Sequence, residues 1–152
     1  MVWGGFSFNG TLDICFLEGK QNSLAYQTTL RNHLLPKAQI IAGSSFIFQQ
    51  DNASIHTSAT TKTWLAKNNI NVLQWPACSP DLNPIENLWG LIVKKLYRKN
   101  GEIIQYSSKK SLKVAITAIW NNIDTQLLQN LVLSMPSRCL DVVKKNGSKI
   151  DY

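Results

Sequence analysis

FIFQQDNASIH, residues 46–56, decides how this chain folds. Phe46, Ile47 and Phe48 form an apolar run suited to a buried strand, and the run closes on Gln49, Gln50 and the carboxylate of Asp51. A charge at the mouth of a buried strand is costly unless a cation meets it. The rest of the chain must therefore explain the acid.

Working outward, Ser45–Gln50 is expected as a strand. Thr57 or Ser58 can cap a helix that carries Trp64 and Leu65 and ends near Asn68-Asn69, and Ile70–Trp75 is a second strand. Strand, helix and strand in this order make a βαβ unit, so the two strands should run parallel. Upstream, Asn9-Gly10 separates MVWGGFSF from a run in which Leu12, Ile14 and Phe16 alternate. This predicts an antiparallel hairpin of residues 2–8 with 11–17, turning on Asn-Gly. Tyr26, Leu30 and Leu34 recur at helical spacing between Ser23 and Leu35, and Pro36 ends that helix. Downstream of the loop PACSPDLNP, a helix should start at Asn83-Pro84 and run to about Lys99. Leu112, Ile116, Ile119 and Ile123 mark another helical face. Residues 124–133 and 137–145 add two helical pieces, the second stopping at Asn146-Gly147. The expected class is α/β: a hairpin, a parallel pair and a helical C-terminal third.

A length of 152 residues suits one ordinary domain with a single core. The net charge of +7 points to a polyanionic partner such as nucleic acid, or else serves solubility. Cys15, Cys78 and Cys139 are odd in number and far apart, which argues against a disulfide framework or a zinc knuckle and fits a reducing compartment. No apolar run reaches the length needed to span a membrane.

In α/β sheets, function gathers at the carboxyl ends of parallel strands. Asp51 sits at such an end. The loop after the next strand leads to the helix carrying Glu86, so both acids are expected to approach one crevice. Converging carboxylates repel unless one is protonated or a divalent cation lies between them. Oxygen ligands with few histidines suit Mg²⁺ or Mn²⁺ better than zinc. Each acid also has a purely structural explanation. Asn83-Pro84-Ile85-Glu86 has capping-box spacing, and Asp51-Asn52 can form an Asx turn.

FQQDNASIHTS followed by WPACSPDLNPIENLWG resembles the catalytic core of the Tc/mariner transposases, which belong to the DDE transposases and integrases with an RNase H-like fold. In that family a strand ends in the second catalytic Asp, followed by Asn and then His; Asp51, Asn52 and His56 match. The third acid follows a Ser-Pro-Asp-Leu-Asn-Pro loop and matches Glu86. MVWGGFS, FLEG, HLLP and the segment around Met135-Pro136-Ser137-Arg138 extend the similarity along essentially the whole chain. The resemblance implies an RNase H-like mixed sheet with strands 2 and 3 in the hairpin and strands 4 and 5 in the parallel pair. It implies catalysis and metal binding by Asp51 and Glu86, with two Mg²⁺ or Mn²⁺ ions in the intact family site, and supporting roles for Asn52 and His56. It also implies double-stranded DNA as partner, in the form of transposon ends and target, a homodimer in the intact family protein, and a nuclear location.

In the family, the first catalytic Asp lies on a central first strand, upstream of the segment resembling MVWGGFS. The expectation is therefore a partial catalytic domain over 1–152, without that strand, its Asp or the N-terminal helix-turn-helix region. Either a slot separates the hairpin from the parallel pair, or strand 2 moves across to pair with strand 4. DNA cleavage and strand transfer by metal-dependent phosphoryl transfer is the expected activity of the family domain, with this isolated chain inactive. The alternative is a non-catalytic DNA-binding remnant or a domesticated fragment. Lys94, Lys95, Arg98, Lys99, Lys109, Lys110 and Lys113 crowd together and are candidate DNA-backbone contacts, or else a solvated helix face.

Overall fold

The computed structural model describes residues 1–99 and 102–150, which form two compact units, Met1–Ser79 and Pro80–Tyr152. The first unit opens with the expected hairpin. β1 (Val2–Trp3) pairs antiparallel with β4 (Cys15–Phe16), and β2 (Phe6–Ser7) with β3 (Gly10–Thr11). Between these pairings, Gly4-Gly5 faces the three residues Leu12, Asp13 and Ile14. One arm therefore carries an extra residue, as in a β-bulge. The Leu12 amide donates to the Gly5 carbonyl at 2.8 Å, and a Cβ built on Gly5 would stand 2.9 Å from the Leu12 side chain. A residue without a side chain lets buried Leu12 close over the strand. The turn differs from the expected one. Ser7 pairs with Gly10, so Phe8-Asn9 are its central residues, and neither Asn9 nor Gly10 takes a positive φ. The tip is instead tied down from outside, because Ser7 Oγ and Asn9 Nδ2 both donate to the Ile41 carbonyl.

α1 (Ser23–Thr29) is capped by Asn22 and runs on as a π-helical turn over Leu30–Leu34, where the Leu35 amide bonds the Leu30 carbonyl. The wider turn keeps both Leu30 and Leu34 in the core. A short α2 (Ala38–Ala42) then leads to β5 (Ile47–Phe48), followed by α3 (Ser54–Thr57), α4 (Ala59–Lys67) and β6 (Asn71–Val72). β5 and β6 are parallel, Ile47 opposite Asn71 and Phe48 opposite Val72. The strand expected to be buried is not. Ile47 is 58% exposed, because β6 is the single strand partner of β5 among the described residues. The two pairings of the hairpin and the parallel pair are separate two-stranded sheets, and among the described residues no hairpin strand pairs with β5. The core of this unit is Leu12, Tyr26, Leu30, Leu34, Ala38, Leu65 and Ile70.

In the second unit, a 3₁₀ turn at Pro80–Leu82 precedes α5 (Pro84–Tyr97). Leu88, Ile92 and Leu96 fall at i, i+4 and i+8 and are buried. The helix stops before Lys99, since Arg98 is already extended and β7 (Arg98–Lys99) pairs antiparallel with β8 (Glu102–Ile103). α6 (Lys109–Asn121) starts on a capping box made by Ser108 and Ser111. α7 (Thr125–Leu133) is capped by Asp124 and is followed by α8 (Met135–Lys144). Beyond α8, Asn146 and Gly147 take positive φ and the Gly147 amide returns to the Val142 carbonyl, the expected stop signal. Trp120, fully buried, stacks on Trp89 at 5.3 Å, so Trp89 serves packing.

The signature loop before α5 also has a structural task. Asp81 is buried, and its carboxylate accepts the amides of Leu82 at 3.2 Å and Ile150 at 3.1 Å. Arg138, also buried, donates to the Asp81 carbonyl and to Asn87 Oδ1. These bonds tie the loop to α8 and to the chain after it.

Candidate active site

Asp51 follows β5 by three residues, where the chain leaves the parallel pair. Its Oδ1 receives the Ala53 amide at 3.0 Å, the Asx turn that Asp-Asn after a strand favours. The same oxygen lies 2.6 Å from His56 Nδ1. An ionised carboxylate only accepts hydrogen bonds, so Nδ1 is the protonated nitrogen in this pairing. Oδ2 takes no hydrogen bond from the described residues, and the Asp51 side chain is 58% exposed. Oδ1 is thus held by the protein and Oδ2 faces outward. Asn52 binds across the sheet end, its Nδ2 donating to the Trp75 carbonyl at 2.9 Å. This joins the loops that follow β5 and β6. A cleft of about 440 Å³ lies here, lined by Asp51, Asn52, His56, Lys62 and Trp75 among others.

Two residues of this site escaped the sequence reading. Tyr26, taken there as one position on an apolar helix face, is buried. Its hydroxyl donates to Gln50 Oε1 at 2.6 Å, and its ring packs on the His56 imidazole with centroids 4.1 Å apart. Gln50 in turn donates from Nε2 to the His56 carbonyl at 3.4 Å. Burial, and after it the negative charge of Asp51, push the Tyr26 phenol well above its ordinary range. The hydroxyl therefore stays a donor. The sequence signal was a tyrosine at a core position, since a buried phenol needs a polar partner. His56 is braced from below as well: Thr61, fully buried, donates to the Ile55 carbonyl and receives a bond from Ser58, the N-cap of α4. Asp13, the acid of the hairpin, pairs with Lys37.

Glu86 belongs to the second unit. It stands in the first turn of α5 and is exposed. Its amide bonds the Asn83 carbonyl, but the side chain of Asn83 does not cap the helix, and the Glu86 carboxylate has no hydrogen bond or ion pair among the described residues. The capping box allowed by the spacing is not formed. Lys94 and Lys95 in the last turns of α5, Arg98 on β7, and Lys109, Lys110 and Lys113 on α6 are all exposed. The side chain of Lys99 lies outside the described part. Among the described residues no three of His, Cys, Asp and Glu gather closely enough to hold a metal ion by themselves. No helix of the described residues is long and apolar enough to cross a membrane.

Similarity to known proteins runs the length of the chain. The family profile described as DDE superfamily endonuclease matches residues 1–113. The Tc3 transposase of Caenorhabditis elegans is 41% identical over all 152 residues, which cover 45% of that protein. The Tcb1 transposase of Caenorhabditis briggsae is 34% identical, again over the whole chain and 54% of its own length. The chain spans about half the length of the curated relatives it matches. Among solved structures, the Mos1 transposase catalytic domain with raltegravir and Mg superposes with a TM-score of 0.85 at 23% identity, covering 99% of this chain and 76% of that one. The Mos1 mariner paired-end complex with Mn gives a TM-score of 0.86 at 22% identity, over 99% of this chain and 44% of that one. These likenesses establish a mixed α/β, RNase H-like fold. The chain belongs to the DDE superfamily endonucleases, among the Tc/mariner transposases.

Proposed function

We propose that these 152 residues are the part of a transposase catalytic domain that carries Asp51 and Glu86 as metal-holding acids for DNA strand cleavage and strand transfer. The observation that carries this reading is the Asp51 carboxylate at the exit of the parallel pair, with one oxygen fixed by Ala53 and His56 and the other open to solvent. An exposed carboxylate with one oxygen already oriented fits a hard divalent cation, Mg²⁺ or Mn²⁺. Glu86 fits as well, since no cap or ion pair among the described residues competes for it. The Mos1 catalytic domain has been solved with Mg and with Mn, which supports the choice of ion. When bound, such ions activate the attacking oxygen and stabilise the leaving one. His56 and Asn52 hold the Asp51 segment in place, and neither is assigned a proton-transfer step.

Double-stranded DNA is the proposed substrate, as transposon end and as target, with the nucleus as the place of action. The exposed cations of α5, β7 and α6 are proposed to contact the DNA backbone. Mos1 paired-end and strand-transfer complexes support this reading. A homodimer is proposed for the intact family protein.

A second reading, a non-catalytic DNA-binding remnant, draws on the lack of any three-ligand metal cluster among the described residues. Asp51 and Glu86 without the family's first catalytic Asp are an incomplete set of acids, so the 152-residue chain by itself is expected not to cleave. Nicking of a transposon-end duplex with Mn²⁺ decides. This chain is compared with a version extended by a family-like first strand carrying its Asp. The extended version should nick and should lose the activity on Asp51→Asn or Glu86→Gln. Inactivity of the extended version would favour the remnant. Nicking by the 152 residues alone, abolished by Asp51→Ala, would overturn the role given to the family's first catalytic Asp.

A further inference from the structure

We propose that Tyr26 is the positioning residue of this site, orienting the Asp51 carboxylate through Gln50 and His56. The inference rests on the reading of Asp51 as a metal-holding acid. Tyr26 stands on a different element from the segment it orders, and it grips that segment at two points. Its hydroxyl bonds Gln50, the residue just before Asp51, and its ring lies against His56, the residue that holds Asp51 Oδ1.

The hydroxyl bond fixes which way the Gln50 amide faces. With Oε1 taken by Tyr26, Nε2 is left to reach the His56 carbonyl. The amide thus links the two ends of the segment 50–56 across the Asp51 turn. The ring contact fixes the second degree of freedom, because an imidazole packed on a buried ring cannot turn without opening the core. With His56 so fixed, Nδ1 points at one carboxylate oxygen of Asp51 and leaves the other open. α1 packs on α3 and α4, so the grip is built on helices and does not depend on the loop. Holding a metal ligand from behind in this way commonly changes metal affinity ten-fold or more.

The test uses the chain in three variants: Tyr26→Phe, Gln50→Met and the double substitution. Tyr26→Phe keeps the ring and removes only the hydroxyl, while Gln50→Met removes its acceptor and leaves Tyr26 in place. Two readouts are taken, with melting temperature recorded beside them. The first is the His56 side-chain ¹⁵N and Nδ1–H resonance without metal, which reports the bond to Asp51. The second is Mn²⁺ affinity. Each single variant should shift or broaden the Nδ1–H signal and lower Mn²⁺ affinity by about ten-fold. The double variant should be no worse than either single one, because all three break the same link. An unchanged His56 signal in both single variants, even with a lower melting temperature, would reduce Tyr26 to core packing and overturn the proposal. Asp51→Asn is measured alongside. If it leaves Mn²⁺ affinity unchanged, the metal-holding reading fails, while the His56 resonance still decides whether Tyr26 positions the segment.

Discussion

Asp51, Asn52 and His56 were legible as a group because they are close in sequence and end a strand. What they do to one another was less so. Asp51 forms the Asx turn that its ordinary explanation required, and the same oxygen also binds His56. Glu86 went the other way, since its capping box was allowed by spacing and is not made. Tyr26 was missed because helical periodicity marks a core position without saying where its polar end goes. Gln50 gains its role only when α1 packs beside it. At this scale, His56→Ala should leave Asp51 Oδ1 with the Ala53 amide alone. We expect about ten-fold weaker Mn²⁺ binding by calorimetry, with His56→Gln partly restoring it through its amide donor. Equal affinity in all three proteins would remove His56 from the site.

Among the elements, the hairpin, the parallel pair and the helices were expected, and their edges moved for identifiable reasons. The turn falls on Phe8-Asn9 and not on Asn9-Gly10, and the extra residue opposite Gly4-Gly5 changes the register by one between the two pairings of the hairpin. Alternation along one arm cannot reveal an extra residue relative to the other. The run to Lys99 favours helix throughout, which hid the β7–β8 pairing. The Asp81 loop was recognised by its string of residues, yet its anchoring depends on partners far along the chain: Arg138 bonds the Asp81 backbone carbonyl and the Ile150 amide bonds its carboxylate. Asp81→Ala would leave the Ile150 amide without its buried acceptor. It should cost about 1–3 kcal/mol in chemical denaturation. Ser58→Ala removes the cap of α4 and should cost about 1 kcal/mol. A loss under about 0.5 kcal/mol for Asp81→Ala would show that water replaces the carboxylate there.

For the whole molecule, the net charge of +7 joins an exposed cluster to a proposed polyanion. Binding to duplex DNA should be weak, independent of sequence and strongly dependent on salt. The triple substitution of Lys94, Lys95 and Arg98 by Ala should reduce the log–log salt slope by about 3. An unchanged slope would place the contacts elsewhere. β5 carries one strand partner among the described residues, so the extended version described above should also melt higher than the 152 residues alone. The most direct test of Asp51 and Glu86 as metal-holding acids is Mn²⁺ titration followed by electron paramagnetic resonance in the chain, in Asp51→Asn and in Glu86→Gln. Each substitution is expected to weaken Mn²⁺ binding about ten-fold or more. Unchanged affinity after either substitution would contradict the assignment of that acid.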